Sequence, residues 1–160
     1  MTFRVGSGFD IHAFGPGDSV MLAGVRVPHT HGVVAHSDGD VLLHALVDAL
    51  LGAAALGDIG QHFPDSDPQW RGVESTRFVA HTCQMLERRH FKLINADLTL
   101  LAQAPKISPW RDQMRFTIAA ALQVSEACVN IKATTTEHLG FIGRNEGLAA
   151  MAVVLLQADD

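Results

Sequence analysis

The stretch HSDGDVLLHALVDALLGAAALGDIG, residues 36–60, constrains the fold more than any other part of the chain. It opens on Ser37, Asp38, Gly39 and Asp40, polar and flexible residues of the kind that start a helix by accepting bonds from its free N–H groups. Leu43, Leu46, Val47, Leu50 and Leu51 then follow at the i, i+3, i+4 spacing of a buried helical face. His44 and Asp48, four residues apart, share one side of this helix, and Asp40 lies one turn before His44. A histidine among acids on an apolar helix is costly unless something pairs with it. Two readings are open on these residues alone: a core histidine satisfied by Asp48, or a metal ligand whose partners come from elsewhere.

The rest of the chain supplies strands around that helix. A first strand is predicted from about Phe3 to Phe9, ending in GSGFDIH, with a hairpin of Val20–Ala23 and Val25–Val27 stopped by Pro28. A loop rich in Pro, Asp and Gly runs from Asp58 to Gly72. Ser75 can cap a second helix whose apolar positions are Phe78, Val79, Cys83 and Leu86. Ile94, Ala96, Leu98 and Leu100 alternate with Asn95, Asp97 and Thr99, the pattern of a half-buried strand. Ser108-Pro109 reads as N-cap and first residue of a helix to about Leu122. Val129, Ile131 and Ala133 mark another strand, and the apolar tail Leu148–Leu156 predicts a last one buried on both faces. With no linker or repeat, these elements predict one domain over residues 1–160. Its class is α/β, an α+β sandwich with helices packed on a mixed β-sheet.

Composition limits what such a domain can bind. Hydrophobic residues make up 48% of the 160, yet no apolar run is long enough to cross a membrane. MTFRVGSGFD lacks the charged start and apolar stretch of a secretory signal, and Cys83 and Cys128 lie inside regular segments, so a reducing, cytoplasmic setting is expected. A net charge of −5 leaves no electrostatic footprint for nucleic acid. An anionic substrate would instead be held by metal ions, backbone N–H groups and helix N-termini.

Asp10 and His12 are i and i+2 at the end of the first strand, so both point to one face. With His44 they would make three oxygen and nitrogen ligands for zinc or a similar divalent ion, leaving a fourth position open as catalytic sites do. A lone D-x-H pair is weak evidence, and strand-end polar residues facing solvent remain the other reading.

The motifs together are specific. GSGFDIH at 6–12, AHSDGD at 35–40, DIG at 58–60, FPDSDP at 63–68, AQAPK at 102–106 and KATTTEHLGFIGRNEG at 132–147 span nearly the whole chain. In this order the chain resembles the 2-C-methyl-D-erythritol 2,4-cyclodiphosphate synthase family. Members convert 4-diphosphocytidyl-2-C-methyl-D-erythritol 2-phosphate into a cyclic diphosphate and release CMP, in the non-mevalonate route to isoprenoid precursors. The resemblance implies a phosphorus–oxygen lyase and a homotrimer with active sites between subunits.

It also implies roles, residue by residue. Zinc or a similar ion would sit on Asp10, His12 and His44, and magnesium or manganese on Glu137. His36, Ser37 and Thr135 match positions that contact the reacting phosphates, with His36 and Thr135 as the catalytic pair. Asp58 and Gly60 would hold the ribose, with Ile59 a substrate-binding position between them, and Phe63, Pro64, Asp65, Ser66 and Asp67 would close over the methylerythritol part. Ala102, Gln103, Ala104, Pro105, Lys106, Ile107 and Ser108 would read the cytosine edge largely through their backbone, with Lys106 near the phosphates. Thr134, Thr136, Phe141 and Arg144 fall among the matched substrate positions, and Asp48 would orient a neighbouring group.

One departure stands out: Asn145 replaces the middle glycine of the family's F-x-G-R-G-E-G, and Asn is among the residues that tolerate positive φ. In the family an apolar axial channel near Arg144 and Glu146 can hold an isoprenoid diphosphate; the other reading of that channel is plain trimer core. Two further classes stay open, a metal-dependent phosphohydrolase and a non-catalytic isoprenoid-diphosphate binding trimer.

Overall fold

The structure, a computed structural model, describes residues 2–158; Met1, Asp159 and Asp160 of the predicted domain lie outside the described residues. In chain order the elements are β1 (Thr2–Gly15), β2 (Ser19–Leu22), β3 (Val25–Pro28), β4 (Gly32–Val33), α1 (Val41–Ala53) and α2 (Ile59–His62). They continue as α3 (Thr76–Glu87), β5 (Phe91–Leu101), α4 (Arg111–Leu122), β6 (Val129–Thr134), α5 (Gly140–Gly143) and β7 (Gly147–Ala158). Five strands form a mixed sheet in the order β4-β1-β7-β5-β6, and β2 and β3 pair as a separate hairpin. The predicted sandwich of helices on a mixed sheet is therefore what the chain forms.

β1 is longer than its sequence pattern suggested. It stays paired with β7 through Ala13 opposite Gly147, so Asp10 and His12 lie inside a strand rather than at its end. Their shared face is the one that packs on α1, and Gly6 and Gly8 precede them on that face. A Cβ at Gly8 would overlap the carbonyl oxygen of Ala45, and one at Gly6 that of Ala49. The two glycines thus let the α1 backbone approach the strand closely enough for His44 to reach Asp10 and His12. Gly8→Ala is expected to lower the unfolding free energy by about 3 kcal/mol, the upper end of overpacking, because its neighbour is backbone and cannot rotate away. Denaturant titration tests this; an unchanged midpoint would show that α1 can slide without loss.

Asp40 fixes the other end of α1. Its carboxylate accepts from the N–H of Leu43 (3.1 Å) as the helix N-cap, and also from Ala23 (2.9 Å) and Gly24 (2.6 Å) in the β2–β3 turn. Both turn residues have positive φ (53° and 74°), the geometry of a two-residue hairpin turn. Burial pushes this fully enclosed carboxyl above the ordinary carboxylate range, against the three N–H donors that favour its charged form.

Three expectations change. Ser75 precedes α3 but makes no side-chain cap, because its hydroxyl is engaged by Asp38 and His44. Ser108 does not cap a helix either: residues 108–110 form a 3-10 turn and α4 begins at Arg111. Ile94 leaves the apolar face at a register shift between Leu93 and Asn95 and is 37% exposed.

β7 is central in the sheet but is not buried on both faces within one chain. Leu148, Ala150, Ala152, Val154 and Leu156 are covered on the helical side, while Met151 and Val153 are exposed at 45% and 44%. The reason is that α1 and its neighbours cover one face only. Val5, Phe9 and Ile11 of β1 are exposed on the uncovered face as well. Among the described residues no helix is long and apolar enough to cross a membrane.

Candidate active site

Strand pairing collects most of the candidate residues at one end of the sheet. Ile11 pairs with Ala149, Ala149 with Leu101, and Leu101 with Thr134, so the ends of β1, β5 and β6 lie in one row. Two groups form there. One belongs to β1, α1 and the segments beside them, the other to the turns after β5 and β6.

At the centre of the first group, His12 Nε2 stands 3.0 Å and His44 Nδ1 3.1 Å from Asp10 Oδ2, and the two nitrogens are 3.1 Å apart. Hydrogen bonds among them cannot use three mutually facing acceptor positions at once, whereas one cation can. Tetrahedral zinc with ligands at about 2.0–2.1 Å places its donors about 3.3 Å apart, so the triangle needs only a slight opening. This donor set can hold a divalent metal, and Asp48 is not part of it. Burial opposes ionisation of Asp10, but once His12 and His44 are protonated their hydrogen bonds and positive charge hold its carboxyl well below the usual carboxylate range.

Beside the triad lies a cavity of about 480 Å³, lined by His12, His36, Ser37, His44, Ile59, Gly60, Phe63, Pro64 and Asp65 among others. His36 and Asp65 approach to 3.4 Å across it. Asp58 caps α2 by accepting from Gln61 N–H at 3.0 Å. Asp48, whose carboxyl is raised by burial, accepts from Ile59 N–H at 2.7 Å and so pins the 58–60 turn rather than bonding a metal ligand. Phe63 is 5% exposed and packs on Phe78 and Trp70, so this residue forms a fixed wall of the cavity. Ser66 and Asp67 do not line it; Asp67 caps the 68–70 turn. Val34, Ala35, Trp70, Arg71 and Phe78 do line it and were missed in the sequence, where Phe78 reads only as a core position.

The second group is equally coherent. Ala102 N–H bonds Thr134 O at 3.0 Å, and with the Gln103 amide assigned to suit its neighbours its oxygen accepts from the N–H groups of Thr136 (3.2 Å) and His138 (3.1 Å). Thr135 Oγ1 donates to Glu137 Oε1 at 2.9 Å and accepts from Glu137 N–H, which aims an exposed carboxylate outward. Ala104–Pro105 is cis, Lys106 and Ser108 are exposed, and Ile107 is a core residue exposed by only 2%. Phe141 is half-buried in α5, and Asn145 takes the anticipated positive φ of 57°. Arg144 is paired with Glu146 at 2.8 and 3.2 Å. Lys132 pairs with Asp97.

Residues 3–157 match the YgbB family. The chain belongs to that family. It is 59% identical over 156 residues to a protein of Xylella fastidiosa named 2-C-methyl-D-erythritol 2,4-cyclodiphosphate synthase, covering 98% of this chain and 89% of that one. Among solved structures, the bifunctional IspDF of Campylobacter jejuni is 45% identical with a TM-score of 0.95; 99% of this chain spans 43% of that longer one. The CDP complex of IspF from Plasmodium falciparum is 32% identical, with a TM-score of 0.87 over 99% of this chain and 97% of that one.

A divalent ion held by this triad would be sensitive to acid. Because Asp10 stays ionised well below neutrality, loss of metal on acidification falls to the two imidazoles, which bind a cation only when neutral. Elemental analysis after dialysis should show metal content falling as the pH is lowered, and a content independent of pH would contradict histidine ligation.

Proposed function

We propose that the protein is a 2-C-methyl-D-erythritol 2,4-cyclodiphosphate synthase. It converts 4-diphosphocytidyl-2-C-methyl-D-erythritol 2-phosphate to the cyclic diphosphate and CMP in isoprenoid biosynthesis. The observation that carries this reading is 59% identity over 156 residues to a protein of that name, with the Asp10–His12–His44 triad formed beside a cavity.

In the reaction a 2-phosphate oxygen attacks the β-phosphorus of the same molecule. The bond from that phosphorus to the oxygen bridging it to the α-phosphorus breaks, and CMP leaves with that oxygen and its electron pair. No protein nucleophile is needed; the site has to fold the substrate and counter the charge that develops. Asp10, His12 and His44 would hold zinc or a similar ion, and Glu137 magnesium or manganese. Such ions supply electrophilic stabilisation of phosphate oxygens. His36 and Ser37 donate to phosphate from the cavity side, and Thr135 from the far side. Asp58 and Gly60 bind the ribose, and the backbone of 102–108 reads the cytosine. Sited in the cytoplasm, the chain keeps Cys83 and Cys128 as free thiols.

The working unit is a homotrimer. Two features support it: the uncovered apolar face of β1 and β7, and the division of the site within one chain. Three strand spacings of about 4.7–4.9 Å separate β1 from β6, roughly 14 Å. That distance separates the strand leading to Glu137 from the triad of the same chain, and β5, which leads to Lys106, stands two spacings away; a neighbour can bring its 102–108 and 134–137 turns onto the cavity.

Glu137→Gln should keep the triad ion but lose most turnover supported by magnesium or manganese; normal rates at limiting magnesium would remove Glu137 from that role. Hydrolysis is the competing chemistry, and water enriched in heavy oxygen separates the two. Cyclisation leaves the label out of both products, whereas a hydrolase would put it into a phosphate.

A further inference from the structure

His44 meets the triad through Nδ1, and its other nitrogen faces Ser75, which Asp38 holds in turn; neither is a metal ligand. Ser75 Oγ is 2.8 Å from His44 Nε2 and 2.5 Å from Asp38 Oδ1, while Ser75 N–H bonds Asp38 Oδ2 at 3.0 Å. We propose that Ser75 and Asp38 are positioning residues for the metal centre, holding His44 in the one tautomer and ring orientation that turn its Nδ1 lone pair toward Asp10 and His12. The proposal rests on the reading of Asp10, His12 and His44 as metal ligands.

The direction of each bond follows from the donor inventory. An ionised Asp38 can only accept, and it takes both the N–H and the O–H of Ser75. The single hydroxyl hydrogen of Ser75 is thereby committed to Asp38. What Oγ offers His44 is a lone pair, so Nε2 must carry the ring proton and Nδ1 must be bare. Left to the triad alone, the carboxylate of Asp10 at 3.1 Å from Nδ1 would favour the opposite tautomer, with the proton on the nitrogen a metal needs. The Asp38–Ser75 pair opposes that preference before any cation arrives. Ser75 is wholly buried, so solvent does not replace its hydroxyl. Ser37 Oγ also lies near Nε2, but at 3.2 Å and without an acidic partner to fix its hydrogen. The ring is further braced by Phe78, whose centroid is 5.9 Å away.

Asp38→Asn tests the relay with little change in size. An amide N–H₂ facing Oγ would donate to Ser75 and turn the hydroxyl hydrogen toward His44, reversing both bonds made by Oγ while the amide oxygen still accepts from Ser75 N–H. Ser75→Ala removes the acceptor. Zinc affinity, measured by competition with a chromogenic chelator on protein shown to be folded without metal, should fall about 10–100-fold in both variants. The tautomer itself is read by nitrogen NMR of histidine-labelled, metal-free wild type at about pH 8, where imidazole is neutral. The expected signature is a proton on Nε2 of His44, moving toward Nδ1 in Asp38→Asn. A proton on Nδ1 in the metal-free wild type would overturn the proposal, as would folded variants binding zinc like wild type. If the wild type bound no zinc, it is the metal reading that would fall.

Discussion

With Asp10, His12 and His44 as the proposed metal ligands, His44→Ala is expected to purify folded but nearly metal-free, and to cyclise substrate roughly 10²–10⁴-fold more slowly, the equivalent of losing several kcal/mol of electrophilic stabilisation. His44 is the triad residue that joins the helix to the strand: its Nδ1 closes the triangle with Asp10 and His12, each about one hydrogen-bond length away. Removing it leaves Asp10 and His12 as an adjacent pair on one strand, with the third corner of the site empty. The surrounding α1 residues, buried against the sheet, keep the fold. Elemental analysis and turnover on the same preparation test this together. Full metal content in the variant would place the ion elsewhere.

Equal mixing of two dead variants should restore activity. In the proposed trimer His44→Ala removes the triad half of the site, and Lys106→Ala with Thr135→Ala removes the half assigned to the turns after β5 and β6. In a closed ring with head-to-tail contacts, an intact site needs the second variant at one position and the first at the next. Random reassembly supplies that at about a quarter of the interfaces, so about a quarter of wild-type activity should return. Demonstrably mixed trimers that stay dead would sink the shared site.

Much of this was legible in the sequence, and the reasons differ from residue to residue. The helical period from Leu43 to Leu51 and the alternation of Asp10 with His12 are local patterns, and each fixes a face without knowledge of the rest. Asn145 was legible for the same reason, since positive φ is a single-residue property. Contacts across long separations were not. Asp40 looks like a simple helix start, yet its carboxylate also holds a turn 16 and 17 residues earlier. Ser75 looks like a cap, and its link to His44 spans 31 residues. Asp48 shares a helical face with His44, but its oxygen is taken by Ile59, which no spacing rule anticipates. The exposed side of Met151 and Val153 shows the limit most directly: an all-apolar strand predicts burial, but not whether the same chain provides the cover.

The most direct measurement follows the phosphorus NMR spectrum of 4-diphosphocytidyl-2-C-methyl-D-erythritol 2-phosphate incubated with the purified protein and a divalent cation. Loss of the three substrate resonances should be matched, mole for mole, by CMP and a pair of coupled resonances from one cyclic diphosphate. Release of CMP together with an open-chain phosphate, or an unchanged spectrum from folded, metal-loaded protein, would contradict the assignment as a cyclodiphosphate synthase.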